Sequence, residues 1–134
     1  MTFSAMDEIE KSFDNLEKDI YLTFLAAPKH LRGAFTGVNQ RRRRSDRMTE
    51  ELALFMAGRI CHTYLFYRGE DLVDEGAIAQ FLNRMLVSVP DAEAKACGAK
   101  SADDYEPARQ QLAARLFAEM AVQWRSKYSP KHRR

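Results

Sequence analysis

Cysteine is scarce in this sequence. Cys61 and Cys97 are the only two among 134 residues, too few for a disulfide framework and suited to a reducing compartment. The three histidines, His30, His62 and His132, are dispersed, so no ligand cluster for a metal is visible. Six glycines are spread along the chain without forming a phosphate-cradling loop, which excludes the common nucleotide-binding motifs. No apolar run approaches the roughly 20 residues of a membrane-spanning helix. Acidic Asp7, Glu8 and Glu10 stand where a signal peptide carries a basic segment and then an apolar one, so secretion is not expected. Sustained period-two alternation is missing too, as are Asn-Gly and Asp-Gly turns, which argues against a sheet.

What remains is globular in composition, with 46% apolar and 30% charged residues. The length allows one hydrophobic core. The expectation is a soluble cytoplasmic protein, a single domain over residues 1–128 with a basic tail at 129–134.

Apolar spacing assigns the elements. Met6, Ile9, Phe13, Leu16, Ile20 and Phe24 recur three or four residues apart and predict a first helix. Ser4 caps it, with Asp7 completing an approximate capping box, and Pro28 ends it. Residues 29–40, around Gly33 and Gly37, read as a loop or one short helical turn. A second helix is expected over Asp46–Tyr67, carrying Met48, Leu52, Phe55, Met56, Ile60, Tyr64 and Tyr67, with Gly69 as the glycine after its end. A third begins at Asp71 or Asp74 and reaches Val87 before Pro90. Asp91 caps a brief helix to Cys97. Pro107 reads as the first position of a last long helix, with the stripe Ala108, Leu112, Leu116, Met120 and Trp124, ending near Tyr128. The fold class is all-α, a compact helical bundle of about four long helices plus short helical turns and no sheet. Its core is expected to include Ile9, Phe13, Leu16, Ile20, Leu52, Phe55, Phe81, Leu116 and Met120, with Tyr64, Phe66 and Tyr67 in core or interface.

Charge is segregated along the chain. The net charge of +2 divides into −4 over residues 1–27, +6 over 28–69, −6 over 70–106 and +6 over 107–134. Arginine outnumbers lysine 14 to 7, which favours planar, forked contacts with phosphate or carboxylate. The sharpest feature is the run Arg41-Arg42-Arg43-Arg44, with Arg47 behind it and Lys29 and Arg32 ahead. Four consecutive arginines would wrap a helix instead of lining one face. They also precede a helix N-terminus, where the dipole disfavours cations. Folding gains little from such a run, so a ligand is the expected beneficiary.

Three readings of the run stay open: binding to nucleic acid or another polyanion, pairing with acids of this chain or of a protein partner, and plain solubility. The internal acids in question are Glu70, Asp71, Asp74 and Glu75. Lys127, Lys131, Arg133 and Arg134 extend the basic surface if the tail folds nearby. The aromatics beside these segments, Phe35 and Tyr128, are too few for a base-stacking platform, so contact with the backbone of RNA or DNA is the expected mode.

No catalytic constellation stands out. Cys61 and His62 are adjacent, and neighbouring helical residues do not face each other, so Cys61 reads as a buried structural cysteine. Asp71, Asp74 and Glu75 share a helical face, as first-turn acids do for capping and the dipole. Arg125 and His132, with six residues between them, resemble the arginine–histidine pair of HEPN-type ribonucleases. Fourteen arginines and three histidines generate about one such spacing by chance, and Pro130 interrupts this one. In architecture, a small all-helical arginine-rich chain is similar to the small helical subunits of CRISPR effector complexes, which line a nucleic-acid channel by stacking on copies of themselves. That likeness is one of character, with no residue pattern behind it.

The sequence therefore leads to a non-enzymatic helical binding protein without metal or cofactor. Its expected place is as a small, self-associating subunit of a larger nucleoprotein assembly, away from membranes. The alternative is a protein-interaction adaptor or inhibitor whose basic surface docks an acidic protein.

Overall fold

The structure, a computed structural model, describes the backbone from Ala5 to Pro130 and the side chains from Leu16 to Pro130. The elements run α1 (Ala5–Ala26), α2 (Lys29–Thr36), α3 (Asp46–Thr63), β1 (Tyr64–Arg68), β2 (Asp71–Leu72), α4 (Glu75–Ser88), α5 (Asp91–Ala96), α6 (Ala102–Gln123) and β3 (Arg125–Tyr128). The chain is predominantly helical, as expected. The expected absence of a sheet is wrong: β1 lies between β2 and β3, antiparallel to both.

Two of the strands continue helices directly. At Tyr64 the backbone turns extended (φ −125°, ψ 145°) while its N–H still closes the last turn of α3 on Ile60. Trp124 does the same after α6, with its N–H on Met120 O at 2.8 Å. Aromatic and β-branched residues favour a pleated, half-buried surface, and Tyr64-Leu65-Phe66-Tyr67 is such a segment. A helix through Ile60, Tyr64 and Tyr67 would leave Phe66 off the apolar stripe. The strand buries Tyr64 and Phe66 together and puts Leu65 and Tyr67 on the other face. Gly69 is therefore the first residue of a two-residue hairpin turn, with φ +63°, and Arg68 pairs Asp71 across it.

Other boundaries move for local reasons. Asp74 caps α4, its carboxylate accepting from Ala77 N at 2.8 Å, so the later of the two expected starts is the observed one. Ser45 caps α3 by accepting from Met48 N. Residues 29–36 form a full helix, because Leu31, Ala34 and Phe35 bury one face, and Gly37 ends it in the left-handed region at φ 80°. Asp91 is the first residue of α5 and does not cap it. Pro107 lies inside α6, just past the first turn, where the helix forgoes one N–H bond. The expected cap at Ser4 and the core positions Ile9 and Phe13 lie outside the described side chains.

The core joins all six helices to the inner face of the sheet. Leu16, Ile20, Leu52, Phe81, Leu116 and Met120 are buried as expected, while Phe55 is half-buried. Aromatics seal the sheet end: Trp124 meets Phe81 and Phe66 edge-on, with ring centroids 4.9 and 6.0 Å apart, and Tyr64 meets Tyr128 at 5.5 Å. Burial, and then the nearby Asp19 carboxylate, raise the Tyr64 phenol above its usual range.

Leu16 is 2% exposed, so Leu16→Ala is expected to lower stability by about 2–5 kcal/mol in a urea titration. A change below about 0.5 kcal/mol would show that α1 does not pack as described.

Candidate polyanion-binding site

The arginine run lies in the connection between α2 and α3, and that connection is tied at several points. Gly37 N donates to Gly33 O at 2.9 Å, and Ser45 N donates to Ala34 O at 2.9 Å, so both ends of the loop return to α2. The Asn39 amide bridges between, donating from Nδ2 to Gly33 O at 2.9 Å and to Arg43 O at 2.8 Å. Arg42 N closes a turn on Asn39 O at 3.1 Å. Arg42 itself takes the left-handed conformation at φ 56°, which costs a non-glycine residue about 1 kcal/mol. Arg41, Arg42 and Arg43 are exposed, and among the described residues none of them forms an ion pair.

Arg44 behaves differently, so the expectation that a ligand is the beneficiary of all four arginines is corrected here. Its side chain is 15% exposed and turns inward. Nη1 donates to Val89 O at 2.6 Å and to Asp91 Oδ1 at 3.0 Å, and Nη2 donates to Leu86 O at 2.8 Å. The guanidinium carbon sits 5.1 Å from the centroid of the Phe35 ring. These are the carbonyls at the end of α4, where the dipole favours a cation. Arg44 is thus adverse to α3 in sequence and favourable to α4 in space. Phe35, fully buried beneath it, is no surface aromatic.

The acids expected as internal partners are not used. Glu70, Asp71, Asp74 and Glu75 follow the C-terminal end of α3, whereas the arginines precede its N-terminal end. The 18 residues of α3 span about 27 Å at the helical rise, and of these acids Glu75 reaches back only as far as Gly58. The same separation applies to Lys127, which pairs with Leu65 at the sheet end and does not join the loop. Lys131, Arg133 and Arg134 lie outside the described residues. Near the loop, Arg47 is exposed in the first turn of α3, whereas Lys29, also exposed, begins α2, about 12 Å of helix away from the start of the loop. Arg32 is half-buried and donates from Nε to Ala27 O at 3.2 Å, a structural tie to the end of α1. Arg41, Arg42 and Arg43 therefore form the exposed centre of the candidate site, followed by Arg47.

A second inward arginine escaped the sequence reading. Arg109 donates from Nε to Cys97 O at 2.8 Å and lies between two rings, 4.2 Å from the Tyr105 centroid and 5.9 Å from that of Phe24. Beside it the Tyr21 hydroxyl donates to the Glu106 carboxylate at 2.7 Å, tying α1 to α6. Helical spacing does not announce such cross-helix ties. Burial pushes the Cys97 thiol up to about 11, with Glu93 adding and Arg109 opposing, so it is no ready nucleophile. Cys61 is half-buried, less enclosed than expected. Among the described residues no group of three or more His, Cys, Asp or Glu side chains is placed to hold a metal, and no helix is long and apolar enough to cross a membrane. Compared with known proteins, the chain matches no family model, no curated protein and no solved structure.

The run should divide cleanly in a denaturation series. Arg44→Ala is expected to cost about 2–4 kcal/mol, through its charge-assisted bonds to buried carbonyls. Arg44→Lys should recover little of that, since an ammonium lacks the fork. Arg41→Ala and Arg43→Ala should each stay within about 0.5 kcal/mol of the parent. Arg42→Gly should gain up to about 1 kcal/mol from the relieved backbone. Equal losses at all four positions would contradict this division.

Proposed function

We propose that the chain is a non-enzymatic binding protein whose α2–α3 loop contacts the phosphate backbone of a nucleic acid, as a small subunit of a larger nucleoprotein assembly. The observation that carries this reading is the state of Arg41, Arg42 and Arg43: exposed, adjacent, without acidic partners among the described residues, and mounted on a loop tied down at Gly33, Ala34 and Asn39. Such a loop loses little conformational freedom on binding, so more of its contact energy appears as affinity. Guanidinium forks match phosphate oxygens, and each neutralised phosphate releases counterions. No aromatic side chain is exposed in the loop, and Phe35 is withdrawn, which favours backbone contact over base stacking.

Binding of fluorescent RNA and DNA, single- and double-stranded, across a salt series tests the proposal. The affinity should fall steeply with salt and show little sequence dependence. Replacing Arg41, Arg42 and Arg43 together by alanine should flatten the slope of log K against log salt by up to about three units, with folding unchanged. Absence of binding at low salt, or a triple variant with an unaltered slope, would turn the reading toward an acidic protein as the partner of this loop.

A further inference from the structure

The sheet ends on β3, and among the described residues no strand lies beyond it. The register shows which backbone groups that edge presents. Ser129 N donates to Thr63 O at 2.6 Å, so Thr63 and Ser129 are a bonded pair. Bonded and non-bonded pairs alternate in an antiparallel ladder. Leu65 with Lys127 and Tyr67 with Arg125 are then the next bonded pairs, and Phe66 with Ser126 and Tyr64 with Tyr128 are not. The bond from Val73 N to Phe66 O, on the β2 side, agrees with this phase. The N–H and C=O groups of Ser126 and Tyr128 consequently point away from β1, toward whatever pairs with the edge.

We infer that β3 is a docking edge for an extended acidic segment of a partner protein, which adds to the sheet as a fourth strand and places carboxylates beside Lys127 and Arg125. This rests on the sheet alone and is independent of the arginine loop. Residues 124–130 carry Arg125 and Lys127 and no acid, and both cations are exposed on the outward face of the sheet. Arg125 leans inward across β1, over the Tyr67 ring at 4.7 Å and to Gly69 O at 3.3 Å, which leaves Lys127 as the cation nearest the edge.

Charge excludes a second copy of this chain as the favoured occupant. Residues directly opposite one another in an antiparallel pair share a face, and like charges there destabilise it. The registers that set Ser126 against Tyr128 or against Ser126 of the second copy place Lys127 against its Lys127 or its Arg125, and the register that sets Tyr128 against Tyr128 puts Ser126 opposite Pro130, which has no N–H to donate. A strand with glutamate or aspartate at every second position meets the same edge with opposite charge and leaves its remaining side chains on the other face.

Proline separates backbone pairing from simple charge attraction. At position 126 the lost N–H is the outward one, so the ladder to β1 is kept. The Ser126 hydroxyl is enclosed without a hydrogen-bond partner, so its removal breaks no side-chain bond. The experiment is an amide-resolved NMR titration of the full chain with a synthetic peptide of alternating glutamate and valine, beside one of alternating lysine and valine. In the free protein the amides of Arg125 and Lys127 should exchange slowly and those of Ser126 and Tyr128 quickly. The glutamate peptide should shift Ser126 and Tyr128 and slow their exchange at least tenfold, and the lysine peptide should not bind. Ser126→Pro, with an unchanged circular dichroism spectrum, should weaken binding at least tenfold. Lys127→Glu keeps every backbone group and should weaken the glutamate peptide while admitting the lysine peptide, which decides the matter even if the proline variant unfolds. Amides of Ser126 and Tyr128 already protected in the free chain would overturn the inference. So would dimerisation through this edge, nucleic acid binding there in place of the peptide, or peptide binding indifferent to Lys127→Glu.

Discussion

The guanidinium of Arg44 closes the carbonyl end of α4, accepting no bond and donating to Leu86 O, Val89 O and the Asp91 carboxylate while its flat face rests on Phe35. Four elements meet at that one group: α2 through Phe35, the loop that carries Arg44, the end of α4 and the start of α5. Its Nε is enclosed without an acceptor, so the two terminal nitrogens carry the whole interaction. Once Arg44 is drawn in, the loop must cross from Gly37 to Ser45 over a short distance, and the Asn39 bridge and the left-handed Arg42 are how it does so. Arg41, Arg42 and Arg43 face water as a consequence. A backbone outlier in an exposed basic loop is also where strain maintained for a ligand would be expected.

The two ends of α3 divide the molecule. At its N-terminus stands the arginine loop, and at its C-terminus the chain passes without a break into the central strand of the sheet. About 27 Å of helix separates the two ends. Basic residues that are clustered by sequence block are thus split in space between the α2–α3 loop and the β3 edge. The two proposed contacts, a nucleic acid at the loop and an acidic strand at the edge, therefore do not overlap.

Much of the helical framework is legible in the sequence, because helix spacing and punctuation are local properties. Pro28 stops α1 and Asp74 caps α4 for local chemical reasons, and Leu16, Ile20, Leu52 and Leu116 follow the apolar period into the core. The sheet is not legible by the same means. Ile60, Tyr64 and Tyr67 satisfy helical spacing, and so do Leu116, Met120 and Trp124, yet both segments turn extended because they pair with each other across about 60 residues of chain. The one residue that protested was Phe66, apolar and off the helical stripe. Gly69 carried a second signal, as a hairpin glycine in first position instead of the second. At the candidate site the run itself is evident, but its division is not: every hydrogen bond that sets Arg44 apart from its neighbours goes to the end of α4 or the start of α5, more than 40 residues away.

Arginine footprinting reads the central claim most directly. Phenylglyoxal modifies accessible guanidinium groups, and tandem mass spectrometry assigns each adduct within the run. In the folded chain Arg41, Arg42 and Arg43 should react and Arg44 should not. Addition of RNA or DNA at low salt should protect those three, and high salt should expose them again. An Arg44 that reacts as fast as its neighbours, or an Arg41–Arg43 segment that stays reactive under bound nucleic acid, would contradict the account.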